Sequence, residues 1–440
     1  MKRTILQILF LLQVLPAFSQ YAVTGGNGMP YLVDKKENSV IDVYLLNGLS
    51  NAKISFTSAE NVMHQWYRYN RSANDVTAIQ CTQNGKESFI TDNIADGYGY
   101  FVGTPTDPAT RFVWIIDYSK YIPVIYSLKF DDESDDRCEY LKIMAEVEAP
   151  PLQYYLPHNG NVASLQRTFH LQYTTMEWIE DSEMFVDKPV DMPLKGEPNE
   201  IVVESPLKNT DFVLSGDDFS AHFGIKKSFS TPVYEAIAVK AIGIVKQSKT
   251  YGDNEQKTSS DVLGGSAPVD ITFTAYANEP VAALFIWNLS KINPATGNME
   301  IISRYTGKVF QYNFVESGDY KAMLEVVDSK SVCKDTTQVF PVMIGETDIQ
   351  IPNFFSPGST AGVNDEFRVS YKSISNFKCS IFNRWGNLLY QWNDPAKGWN
   401  GTVAGKFVPT GVYFYIIEYT DSNGKKQVKK GSINILRSKK

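Results

Sequence analysis

At 440 residues the chain is too long for one ordinary domain; at roughly 100–200 residues each it has room for three or four. Its 43% hydrophobic and 21% charged residues exclude a disordered polymer, and a net charge of −7 excludes a general nucleic-acid-binding surface. Aromatic residues make up 13%, which with frequent Thr and Val favours strands.

The chain opens MKRTILQILFLLQVLPAFSQ. Lys2 and Arg3 precede the apolar run Ile5 to Leu15, and the small residues Ala17 and Ser19 sit just before Gln20. This pattern predicts a secretory signal peptide over residues 1–19 and export by the Sec route. The run is too short for a stable membrane span, and no Cys follows it, so a lipoprotein anchor is not expected.

Four β-domains are expected after it. The first covers residues 20–121. Trp66 in HQWYRYN resembles the buried tryptophan of an immunoglobulin-like sandwich, and DGYGYFV at Asp96–Val102 resembles the later strand that carries a tyrosine corner. The second covers 122–249 as a β-sandwich, with FHLQYTTMEW at Phe169–Trp178 alternating in strand fashion. Within it, Asp131-Asp132-Glu133-Ser134-Asp135-Asp136 is the densest acidic run, read as a solvated loop with a calcium loop as the alternative. Ser248–Ser266 is polar and glycine-rich and reads as a linker, with Gly264-Gly265 as a turn. The third domain covers 267–346. Trp287, then Phe314, Gly318 and Tyr320, resemble the pattern of a PKD-like domain, whose relatives act as spacers or interaction modules. Ala322, Leu324 and Val326 are expected to point inward.

The fourth domain covers 347–440 and has the densest set of motifs. IPNFFSPGSTAGVNDEFRV contains Asn364 and Asp365. IFNRWGNLLYQW contains Arg384, Trp385, Gly386 and Asn387. KGWNGTVAGKFVPTGVYFYIIEY contains Trp399, Gly401, Thr402, Pro409, Gly411, Tyr413 and Tyr415, and GSINILR closes the series. In this order they resemble the gliding-motility-associated C-terminal domain of Bacteroidetes, the type B sorting domain of type IX secretion. The resemblance implies passage through the outer-membrane translocon. The first motif departs from the family's usual acidic, glycine-rich turn, which leaves few hard oxygen ligands for calcium. No metal is expected there.

Within this domain, Val412–Tyr419 is a near-continuous β run. Asn423-Gly424 then marks a hairpin, with Lys426–Leu436 as the return strand. Trp385, Trp392 and Trp399 recur every seven residues, but Gly386, Pro395, Gly398 and Gly401 forbid one helix through them. They are read as core and turn packing, with ligand contact by one exposed ring as the alternative. Lys425, Lys426, Lys429, Lys430, Arg437, Lys439 and Lys440 make the end basic, read as a solvated edge strand or as a surface for an acidic partner.

Catalytic patterns are missing. His64, His158, His170 and His222 are scattered, and there is no HExxH, GxSxG or P-loop. Cys81, Cys138, Cys333 and Cys379 are expected as buried free thiols, with a Cys81–Cys138 bridge as the alternative. The sequence thus reads as an all-β chain of tandem immunoglobulin-like sandwiches, without enzymatic activity or cofactor. The expected role is a cell-surface or secreted protein in adhesion or scaffolding, with the periplasm as the alternative location. The expected partner is the type IX translocon or another outer-membrane protein, and the passenger's ligand is a glycan or surface protein. The alternatives are a glycan-binding module, using aromatics such as Trp66, Trp178 or Trp287, or a resident subunit of an envelope assembly.

Overall fold

Apolar–polar alternation, broken by Gly, Asn and Asp, resolves into strands throughout: about 55% of the chain is strand and 3% helix. The computed structural model describes residues 20–33, 40–103, 111–131, 137–249, 251–257, 262–337, 339–359 and 362–437. The expected signal sequence, residues 132–136 of the acidic run and residues 438–440 lie outside the described residues. Among the described residues no helix is long and apolar enough to cross a membrane.

The first sandwich has one sheet ordered Gln20–Thr24, Lys53–Thr57, Glu87–Ile90 and Thr82–Asn84. The opposing sheet is centred on Ile41–Leu46, Phe112–Asp117 and Tyr98–Gly103. Ile41–Leu46 and Phe112–Asp117 run parallel, and every residue of both is buried. Burial of both faces needs cover on both sides. Tyr44, Val113 and Ile115 face the core around Trp66, while Val43, Trp114 and Ile116 pack with Leu152 and Phe219 of the next domain. Trp66 is fully buried and its Nε1 donates to Ser88 Oγ at 2.8 Å. The Tyr100 hydroxyl accepts from the Ala95 N–H and donates to the Asn93 carbonyl, closing a tyrosine corner at the expected strand.

The second sandwich opposes Val124–Phe130, Tyr140–Glu148 and Glu200–Glu204 to Met184–Lys195, Thr168–Ile179, Val213–Ser215 and Ser228–Ser230. Phe169, Leu171, Phe212 and Leu214 fill its core. Thr168–Ile179 and Met184–Lys195 form a hairpin paired along its whole length. Its junction with the first domain is charged as well as apolar. Arg167 donates to Asp217 and to the carbonyls of Tyr121 and Pro150, and the Tyr118 hydroxyl donates to Asp217 at 2.5 Å. A buried charge is stable only when paired and hydrogen-bonded, as both are here.

The third sandwich surrounds Phe273, Trp287, Leu289 and Phe314, all fully buried. Ala322, Leu324 and Val326 point inward as expected. Ala241–Ser248 pairs along its length with Val269–Ala277 and so belongs to this domain's sheet.

Four expectations are corrected here. The second domain does not run to residue 249, because Ala241–Ser248 is a strand of the third domain's sheet. Cys138 and Cys333 form a disulfide between the second and third domains, instead of remaining free thiols, while Cys81 and Cys379 are free. The partners lie 195 residues apart, and the Asp328 carboxylate positions the Cys333 turn by accepting its N–H and that of Val332. Gly264 and Gly265 are strand residues, not a turn; a Cβ on Gly264 would lie 2.3 Å from the Met343 carbonyl oxygen. The segment 251–257 is an ordered strap, not a free linker. Asn254 donates to the carbonyls of Val369 and Pro395, the Gln256 N–H donates to Tyr371, and Glu255 pairs with Lys249 in a buried salt bridge.

Candidate functional site

The fourth domain holds all the sorting-motif residues. Its main sheet is ordered Phe354–Phe355, Lys426–Ile435, Gly411–Thr420, Ser375–Phe382 and Leu388–Trp392. The expected hairpin joins Gly411–Thr420 to Lys426–Ile435 in register. One sheet face packs on Phe355, Phe367 and Trp399; the other is open.

Most of the motif builds the framework. Trp399 is fully buried, with Nε1 donating to the Thr402 carbonyl and its ring against Phe355 and Tyr413. Trp392 is buried and caps the Lys397 carbonyl. Gly401 has φ +75°, and a Cβ there would press on Pro357 and Phe355. The Thr402 hydroxyl donates to Asn400, and the Tyr413 hydroxyl donates to the Pro409 carbonyl. Gly411 opens its strand at φ +142°. Tyr415 reaches under Gly431, where a Cβ would lie 2.3 Å from its hydroxyl. In the first motif, the Asn364 carbonyl accepts from Ser356, and the Asp365 carboxylate accepts the N–H groups of Gly358 and Gly362. Asp365 therefore closes its loop through backbone amides.

The RWGN turn is different. Asn383, which the motif reading passed over, organises it. Its side-chain oxygen accepts from the Trp385 and Asn387 N–H groups, and its N–H donates to the Asn387 carbonyl. Gly386 supplies the positive φ of +84°. These bonds leave Arg384 and Trp385 outside. Trp385 is 70% exposed, and the Arg384 guanidinium carbon lies 4.3 Å from its ring centroid. Beside the turn the open sheet face presents Phe414 and Val412, each about half exposed, with Phe382 and Ile416. A hollow of about 740 Å³ runs from Arg384 across Phe414 to Lys430. Exposed Trp and Arg beside an apolar patch rimmed by cations form the chemistry of a protein-binding hot spot.

Titratable groups here suit framework roles. Burial pushes the Cys379 thiol and the Tyr413 and Tyr415 phenols upward. Burial, then Glu255 of the strap, pushes Tyr371 up to about 12.

Residues 349–435 match the family model of the CHU_C type IX secretion signal domain. The last domain is a type IX secretion signal domain. Residues 130–231, ahead of this signal domain, match a fibronectin type III domain. No curated protein matches the chain. Solved structures similar to it include a tetra-tandem repeat in the extending region of a large adhesion protein (11% identity, 90% of this chain and 99% of that one, TM-score 0.21). Another is the N-terminal eight Ig domains of Down Syndrome Cell Adhesion Molecule (11%, 94% and 56%, 0.23). A third is a Ca²⁺-stabilized adhesin of an Antarctic bacterium (11%, 88% and 94%, 0.18). At these scores the likenesses carry no functional argument; the fold rests on the strand order, and the address on the secretion signal domain.

Proposed function

We propose that the chain is an exported, non-enzymatic surface protein, with a passenger of three β-sandwiches that acts in adhesion or scaffolding. The signal peptide sends it to the periplasm, and the type IX translocon then reads its last domain through the Arg384–Trp385 turn and the open sheet face. One observation carries this reading. Among residues that otherwise build turns and core, Arg384 and Trp385 are held outward by the Asn383 bonds. Specific recognition needs such rigid, exposed anchors. The test is fractionation of cells carrying Arg384→Ala/Trp385→Ala beside a chain lacking residues 347–440. Periplasmic retention of both supports the reading; surface delivery of the truncated chain would sink it.

A second reading, a resident subunit of an outer-membrane assembly, is favoured by the strap that fastens the secretion signal domain to the passenger. Co-purification of a barrel protein at one-to-one stoichiometry would select it.

A further inference from the structure

The second and third domains are held apart and locked. At one end of their interface stands the Cys138–Cys333 disulfide. At the other, the tip of the long hairpin grips the third domain. Glu183 accepts from the Tyr276 hydroxyl at 2.7 Å and pairs with Lys246 at 3.1 Å, and the Trp178 ring packs on Tyr276. Between them Asn278 donates to the Leu207 carbonyl. These ties flank a half-open slot of about 940 Å³. Sites for small ligands run to about 300–1,000 Å³ and favour domain interfaces.

The slot's lining is mixed. Tyr173, Val190 and Met192 supply apolar surface on the hairpin side, next to the Glu177–Lys188 ion pair at 2.9 Å. Val202 and Glu204 face it from the neighbouring edge strand, and Lys240 from the third domain. A lipid would bury this ion pair with Glu204 and Lys240 against hydrocarbon, and an anion would meet carboxylates. An added peptide strand needs a continuous row of backbone donors. Two sheet edges border the slot: Pro189 and Pro193 interrupt that row on Met184–Lys195, and Glu200–Glu204 offers only five residues. A pyranose chain meets the set: its C–H faces lie on apolar and aromatic surface, and its hydroxyls both donate to carboxylates and accept from ammonium groups.

We propose that this slot binds a short oligosaccharide. The proposal deepens the adhesion reading and rests on it for the ligand's cellular origin. Because the two ends are already tied, little ordering is required on binding.

The experiment uses the purified chain from Gln20 onward and a panel of cello-, xylo-, laminari-, chito- and manno-oligosaccharides from disaccharide to hexasaccharide. Binding is read by saturation-transfer NMR and calorimetry. The wild type is expected to bind at least one member saturably. Val202→Trp fills the slot from an exposed position, and Glu177→Gln/Lys188→Met removes the ion pair. Each is expected to weaken Kd by about tenfold or more, with unchanged circular dichroism and melting. Silence of the folded wild type across the panel overturns the proposal, as does binding that survives Val202→Trp. Capture of an extended peptide competing for the same slot overturns it too. Purified protein bypasses export, so a negative result here leaves the sorting role standing, and a failed fractionation test leaves this result standing.

Discussion

The Arg384 guanidinium carbon lies over the Trp385 indole, 4.3 Å from its ring centroid, on a turn held by the Asn383 side chain and by backbone groups, the Trp385 N–H among them. Neither side chain is needed to hold the turn. Replacing both by Ala should therefore leave stability within about 0.5 kcal/mol, as for ordinary surface substitutions. Surface delivery should fall at the same time. Equal melting with lost delivery is the expected pair of results. Trp399→Ala should behave oppositely, losing about 3–5 kcal/mol with its buried ring.

The Cys138–Cys333 bond joins two domains that also meet through the Glu183 clasp, the Asn278 bond and the Lys330–Glu235 ion pair. Peptide mapping without reductant should recover these two half-cystines together and Cys81 and Cys379 as thiols. The double Ser variant should lose about 2–4 kcal/mol from the coupled unfolding of the two domains. It should also be cut faster by protease at the interface. Indifference of both readouts to reductant would contradict the clamp.

Arg167 and Asp217 are 6% and 0% exposed at their side chains; Asp217 also accepts from the Tyr118 hydroxyl and the Ser220 N–H, and Arg167 also donates to the Tyr121 and Pro150 carbonyls. Asp217→Ala leaves a buried guanidinium without its anion. A loss of about 3–5 kcal/mol is expected, with the first and second domains melting apart in calorimetry. Restoring the carboxylate as Glu should recover only part, because the site is tightly packed.

Two histidines should pull pH dependence in opposite directions. Burial lowers the His64 pKa where its ring sits between Ser58 and Ser88. The unfolded state then binds more protons, so the first domain is most stable above the ordinary imidazole range of about 6.5. Its stability falls as pH drops through that range towards the lowered folded value. Asp191, with Asp218 on the other side, raises the His170 pKa against a smaller opposing effect of burial. That contribution is full below about 6.5 and is lost as pH rises through the raised folded value. Hydrogen exchange at about pH 5 and about pH 8 should show the first domain loosening in acid and the His170 hairpin loosening in base. Parallel changes in both would refute the assignment.

The hairpin of the last domain was legible because everything that makes it is local: a β-branched and aromatic run, an Asn-Gly break and a return run. Trp66, Trp287 and the DGYGYFV strand of the tyrosine corner were legible for a related reason, since each completes a pattern within a few strands; that Tyr100 and not Tyr98 makes the corner came from the structure. Trp385, Trp392 and Trp399 show where such reading stops. Equal spacing gave three equivalent residues, yet one is solvent-exposed and two are core, because a turn, a strand end and a loop separate them.

Local periodicity, which records backbone preference and alternation, determined by itself that this is an all-β chain of sandwiches, and the order of the C-terminal motifs carried the resemblance to a secretion signal domain. They are set by neighbours in sequence, so no fold was needed to read them. Only the tertiary structure decided which cysteines meet across 195 residues, that the strap is docked, that Trp385 faces outward, and that a slot stands between two domains. Each of these is a contact between segments remote in sequence, whose pairing depends on the packing of whole domains.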